Sequence, residues 1–343
     1  MMLKSLFFCL FSGAVLWCEA QGLAIDTLQQ GKPTSIRGLS VLDDSVAWVS
    51  GSNGWVGHTT DRGATWAWQQ VAGYETTDFR DIEAFSRKEA LLLSAGSPLV
   101  ILHTTDGGYT WRETHRDERR DIFFDGMDFW DHRKGLAYGD PINGVMQLLA
   151  TSDGGRTWQH ISGQANIELS EGEAGFAASG TGIRVLQGGH VFIASGGRRS
   201  RLFHSTDYGQ TWMVHDCPII QGTASTGIFS IAFQDERYGI VVGGDYLQDT
   251  LTRNAVFVTD DGGATWAPPK RGTNGFRSAV EYVSKKVLVA TGTSGVDISL
   301  DRGQHWDAVS SASFHVVRKA KNGTWVVLAG ADGRIMSFAG AGN

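Results

Sequence analysis

The chain has 343 residues, with 30 basic and 36 acidic side chains and a formal net charge of −6. That balance lacks the basic face or stripe that holds nucleic acid, so no nucleic-acid partner is expected. Glycine, at 45 residues, is about twice its usual frequency, while proline is only 6 and tryptophan reaches 12; the composition is globular and rich in turns.

Residues 1–20 read as a secretory signal, with Lys4 as the positive start, "LFFCLFSGAVLW" as the apolar middle and "CEA" as the small-residue site before Gln21. The apolar run is short for a membrane span. The expectation is an exported chain, periplasmic or secreted, with no transmembrane segment. Cys18 offers a lipidation alternative, although Trp17 stands where a small residue is usual. Cleavage removes Cys9 and Cys18 and leaves Cys217 as a single thiol. Residues 21–343 should then form one domain, a monomer held by packing and not by disulfides.

From residue 23 onward a strand pattern repeats. "LAIDTLQQ" (23–30) precedes "SIRGLSV" (35–41), "VAWVSG" (46–51), "WVGHTT" (55–60) and "WAWQQVA" (66–72). The last two are separated by "TTDRGATW", and close variants recur as "TTDGGYTW", "TSDGGRTW", "STDYGQTW", "TDDGGATW" and "SLDRGQHW". Their aspartates, Asp61, Asp106, Asp153, Asp207, Asp261 and Asp301, are spaced by 45, 47, 54, 54 and 40 residues. Such a period, with four strands A to D per unit, predicts an all-β propeller. The C-terminal segments 313–320, 324–330 and 334–340 supply strands A, B and C of a seventh unit without a box or strand D. The N-terminal strand fits the vacant place, closing a seven-bladed ring and removing two exposed edges. Six blades is the competing count.

The box has the form Ser/Thr-x-Asp-x-Gly-x-x-Trp and is read as the hairpin between strands C and D. Glycine supplies positive φ, the Asp and Ser/Thr oxygens accept from turn N–H groups, and Trp covers the turn. All six aspartates are therefore assigned structural roles. His58, His103 and His204 each precede a box and resemble a metal triad, but one repeat position in three blades keeps them apart. Asp125, Asp128, Asp131 and His132 are close in sequence, yet Asp125 and Asp128 should face opposite sides of a strand. No cofactor, metal or catalytic signature is found.

A site is sought where the blades differ. Aligning the A strands puts Arg37, Arg80, Asp125, Ser230, Arg277 and His315 at one channel mouth, with blade four falling near Thr181–Gly182. Three arginines there suit a carboxylate or another anion; the competing reading is a structural plug in which Asp125, Asp140 and Asp245 neutralise them. The long loops 163–182, 216–227 and 243–254 should overhang the same face and bring Glu171, Glu173, Asp245, Tyr246 and Asp249 near. Arg198, Arg199 and Arg201 form a second basic cluster. The expected ligand is a protein or an anionic or carbohydrate group, bound by Arg37, Arg80, Asp125, Asp140, Asp245, Tyr246, Arg277 and His315.

The six boxes and their rhythm resemble the photosystem II stability/assembly factor family of exported seven-bladed propellers. The resemblance implies a non-catalytic assembly scaffold for protein partners with an arginine-lined channel face, matched in position by Arg37, Arg80 and Arg277. The boxes also resemble those of sialidases and xyloglucanases. That alternative implies a glycoside hydrolase using an arginine triad, Tyr246 or Tyr282, Glu281, and pairs such as Asp125 with Asp245 or Asp140 with Glu173. "SIRG" departs from the Phe/Tyr-Arg-Ile-Pro start of the sialidases.

Overall fold

The computed structural model describes residues 24–339; the expected signal segment and Cys18 lie outside them. Seven antiparallel sheets form the blades, each running from strand A at the channel to strand D at the rim. Blade one comprises Ile36–Val41, Ala47–Gly51, Trp55–Thr59 and Ala67–Gln70. The corresponding A strands of blades two to seven are Phe79–Ala84, Phe124–Phe129, Ile183–Leu186, Thr226–Phe233, Ala279–Tyr282 and Val316–Lys319.

Blade seven takes its outer strand from the N-terminus. Ala24–Gln29 pairs antiparallel with Ile335–Ala339, so the ring closes as expected. Blade five departs from the rule. Its outer strand shrinks to one bridge, Val258 with Ala267, because Pro268 and Pro269 follow and have no N–H to donate to a ladder. The same sheet gains two short strands, Glu173–Ala174 and Gly196–Gly197, at its inner edge.

Each box is a closed set of hydrogen bonds. In the fourth, the Ser205 hydroxyl donates to Asp207 Oδ1 at 2.8 Å and accepts the Gly209 N–H at 2.9 Å. Asp207 also accepts the Thr211 N–H at 2.9 Å and the Thr211 hydroxyl at 2.6 Å. The Thr before Trp is thus a working member of the motif, unnoticed in the sequence. In the sixth box His305 replaces it, and its Nδ1 meets Asp301 Oδ2 at 2.6 Å. Both residues after each Asp are left-handed, including Arg62, Tyr208 and Arg302, so the turn tolerates a side chain at the first position.

The second position is stricter. A Cβ on Gly155 would strike Leu91 of blade two, one on Gly263 would strike Leu202 of blade four, and one on Gly303 would meet Ile240 of blade five. The box therefore sets the distance between neighbouring blades as well as the turn. Its Trp packs into that same seam: Trp111 between blades one and two, Trp212 between three and four, Trp306 between five and six. The seam between blades six and seven has no box and is filled by Phe314, Phe338 and Met336.

Gly263→Ala should lower the unfolding midpoint clearly more than Gly73→Ala. Both substitutions pay about 1–2 kcal/mol for a left-handed alanine, but only the first also meets Leu202, since nothing lies near Gly73. Equal midpoints in urea would contradict the seam role. Acid should also loosen the boxes. The Thr211 hydroxyl and N–H hold Asp207 down to about 2. A depressed carboxylate contributes stability above its ordinary value near 3.9 and loses it as pH falls through the folded value. Thermal melts from pH 4.5 downward should show this loss, and Asp207→Asn should reduce its slope.

Candidate functional site

Four of the seven A strands are bulged at their channel ends, and there the bulge fixes which residue looks into the mouth. The ladder skips Arg37, Arg80, Asp125 and Phe229 in blades one, two, three and five. Counting back by the same interval from each A-strand end gives Gly182, Ser278 and His315 in the other blades. Six of the residues so placed, Arg37, Arg80, Asp125, Phe229, Ser278 and His315, line a cavity of about 380 Å³ together with Tyr246.

Two expected members are displaced by one residue. Ser230 is turned into the protein, where it accepts the Thr181 hydroxyl and the Val280 N–H. Arg277 is 1% exposed and its guanidinium pairs with Asp297 at 2.6 Å, away from the mouth. The mouth therefore holds two arginines and not three, with Ser278 in the third place. In blade five the extra bulge residue shifts the inward face of the strand; in blade six, where the ladder has no bulge, matching arginine to arginine set the register off by one residue.

The loop 163–182 does not overhang the channel; its segment 175–180 enters it. Arg37 Nη1 donates to the Ala178 carbonyl at 3.1 Å, and Arg80 Nη1 to the Ala177 carbonyl at 3.4 Å. From the far side Arg318 Nη2 donates to Gly180 O at 3.1 Å. Ser179 donates to the Ser278 carbonyl at 2.8 Å. The arginines are thus held by backbone carbonyls and by Asp78, which accepts Arg80 Nε at 2.8 Å. Neither Asp140 nor Asp245 neutralises them. Asp140 accepts the Gly175 N–H at 2.9 Å, and Asp245 accepts the Leu247 N–H of its own turn at 3.0 Å.

The plug brings Phe176 with it. This ring stacks on Phe229 at 3.8 Å, and Phe276 meets Phe229 edge-on at 4.7 Å. Tyr246, 47% exposed, stands over Phe229. An apolar wall therefore faces the two guanidiniums. Arg37 has no carboxylate partner among the described residues; burial and then Arg80 lower its pKa below the usual guanidinium range. At the floor Asp125 is buried, with neither oxygen hydrogen-bonded to another described residue. Burial, then the neighbouring Asp140, pushes its carboxyl well up, which favours the protonated form.

The remaining loop residues have separate engagements. Glu173 is buried against Arg201 at 2.7 Å, Asp249 accepts the Thr293 hydroxyl, and Arg199 pairs with Asp216. Glu281 and Tyr282 open into a different cavity of about 840 Å³ on the box side of the plug. There Glu281 meets Arg184 at 3.0 Å. Asp128 lines that second cavity as well, whereas Asp125 lines the mouth, so these two acids do part. Asp131 caps its own turn and His132 reaches Glu89. His58 stacks on Trp48, His103 pairs with Glu89, and His204 lies on Phe192, each in its own seam.

His315 reports on the mouth. Burial, then the charge of Arg37, pushes its imidazole down to about 4, and Arg80 adds to the effect. It should stay neutral in an NMR titration from pH 8 to pH 5. Arg37→Ala should raise its midpoint, because a lowering charge is removed; an unchanged midpoint would place the guanidinium elsewhere.

With the geometry in place, the chain can be set beside known proteins. Residues 26–120 match the family model of the photosynthesis system II assembly factor YCF48. A photosystem II assembly lipoprotein, Ycf48 of Synechococcus sp. (strain CC9902), is 24% identical over 275 residues, covering 71% of this chain and 77% of its own. A solved structure of YCF48 bound to D1 peptide superposes with a TM-score of 0.65 at 16% identity, over 92% of this chain and 96% of that one. A sialidase of Micromonospora viridifaciens is 28% identical over 166 residues, 45% of this chain, which spans only 22% of the sialidase's length. Box rhythm, matched family model and ring architecture together make this chain similar to the photosystem II assembly factor-like Asp-box propellers.

Proposed function

We propose that the chain is an exported, non-catalytic scaffold that binds a protein partner at the plugged channel mouth. The observation that carries this reading is the pairing of Arg37, lacking a carboxylate partner among the described residues, and Arg80 with the wall of Phe176, Phe229 and Tyr246. Guanidiniums recognise carboxylates, and an aromatic surface receives the apolar body that carries them. A partner segment with an acidic group beside an aromatic or aliphatic side chain fits both halves. The related proteins support the reading, one being described as an assembly lipoprotein and another as bound to a peptide. Residues 1–20 would direct export, with cleavage before Gln21 or lipidation at Cys18, leaving the propeller as the sole domain and a monomer.

The glycoside hydrolase alternative draws on the sialidase match. Its machinery is divided here. Glu281 and Tyr282 lie beyond the plug, Glu173 is engaged by Arg201 and Asp245 by its own turn. Aryl sialosides and β-glucans should be left uncleaved, and turnover of any of them would revive that alternative.

The binding site is tested with fluorescent peptides that carry one carboxylate beside an aromatic residue. Arg37→Ala with Arg80→Ala should weaken binding at least about tenfold, since a hydrogen bond to a charged group contributes roughly 1.5–3 kcal/mol. Amidating the peptide carboxylate should give a similar loss with the unaltered protein. Equal affinity of the variant and the original would remove the mouth as the site.

A further inference from the structure

Outside the channel, most histidines have found partners: His103 and His132 share Glu89, and His190 meets His204 at 3.1 Å. His115 is different. Its Nε2 is buried with no hydrogen-bond partner among the described residues. It belongs to strand D of blade two, Arg112–Asp117, and shares a strand face with Asp117 two residues on. Across the seam stands His160, on the outer strand of blade three, Gln159–His160.

We propose that His115, Asp117 and His160 form a divalent-metal site of zinc type clasping blades two and three at their outer edge. One ligand atom from each residue lies within 4.8 Å of the others. His160 Nε2 is 3.8 Å from Asp117 Oδ2, and the two imidazole rings are 5.3 Å apart. Zinc bonds to nitrogen and carboxylate oxygen run about 2.0–2.2 Å, so binding draws the donors inward. His160, about half-exposed, can swing to allow this. Two imidazoles and one carboxylate suit zinc and its first-row neighbours better than magnesium or calcium, which prefer all-oxygen sets. A water completes the fourth position on the solvent side.

The surroundings both support and weaken the site. Arg119 holds Asp117 through Nε at 2.9 Å and Nη2 at 2.6 Å, and its Nη1 donates to Gln147 of blade three at 3.2 Å. That contact fixes the carboxylate toward the seam, as partners of metal ligands commonly do. Its positive charge opposes the ion, so the affinity should be lower than that of a closed four-ligand site. The structural benefit is local. The outer strand of blade three pairs through only two residues, and a metal would tie it to a six-residue neighbour.

The test uses the full chain without an affinity tag, stripped with chelator and dialysed against zinc or cobalt chloride. One equivalent should be retained, with cobalt giving the visible absorption of a four-coordinate ion and zinc raising the melting temperature. His160→Ala lies at the surface and should fold, yet bind at least about tenfold more weakly and lose the melting shift. His115→Gln should do the same, and His132→Ala should leave binding unchanged. Retention by His160→Ala equal to that of the original chain, or no retained equivalent in the original, would overturn the site.

Discussion

A single local arrangement, an aspartate holding two successive left-handed residues, governs the spacing of this propeller. The Asp207 type of turn satisfies its own polar groups, so it needs nothing from the rest of the protein. The glycine at the second position of such turns, as at Gly155, Gly263 and Gly303, then lets the turn approach the preceding blade more closely than a Cβ would allow. Tryptophan fills what remains of the seam. Six repetitions of one short-range solution thus position six blades, and residues elsewhere in each blade are free to diverge.

The divergence is used in the channel. Bulges in four of the A strands help aim differing residues at one axis, and the plug divides the channel into two chambers. Backbone carbonyls are well suited to hold guanidiniums there, because they orient the cations without cancelling their charge. Arg37 therefore keeps its net charge beside an aromatic wall. Arg277 contrasts with it: one residue earlier in the register, it is neutralised by a carboxylate in the core.

How much of this was legible follows from which features repeat. The strands, the box hairpins and the N-terminal strand of blade seven could be read directly, because hydrophobic alternation and turn chemistry recur at a near-constant period. Arg37, Arg80, Asp125 and His315 were placed at the mouth for the same reason. Ser230 was misplaced because a bulge inserts a residue that alternation alone does not reveal, and Arg277 because matching arginine to arginine set blade six off by one residue. The plug was illegible for a deeper reason. "GFAASG" is small, unrepeated and held by carbonyls, so no side-chain pattern marks its destination. The unpartnered His115 was overlooked because it sits in a strand whose only sequence signal is being polar.

The N-terminal strand in the last blade has a bearing on how the molecule is made. Ala24–Gln29 has its ladder partner in Ile335–Ala339, at the opposite end of the described chain. Until Ile335–Ala339 is in place, that strand lacks its ladder partner. Contacts so distant in sequence are slow to form, and unsatisfied strand edges invite wrong partners in the interval. Asp26 and Thr27 are polar and exposed and Gln29 is half-buried, which suits a segment that stays solvated before it pairs. The ring closes only when these two distant segments have met, and until then the channel has an open side.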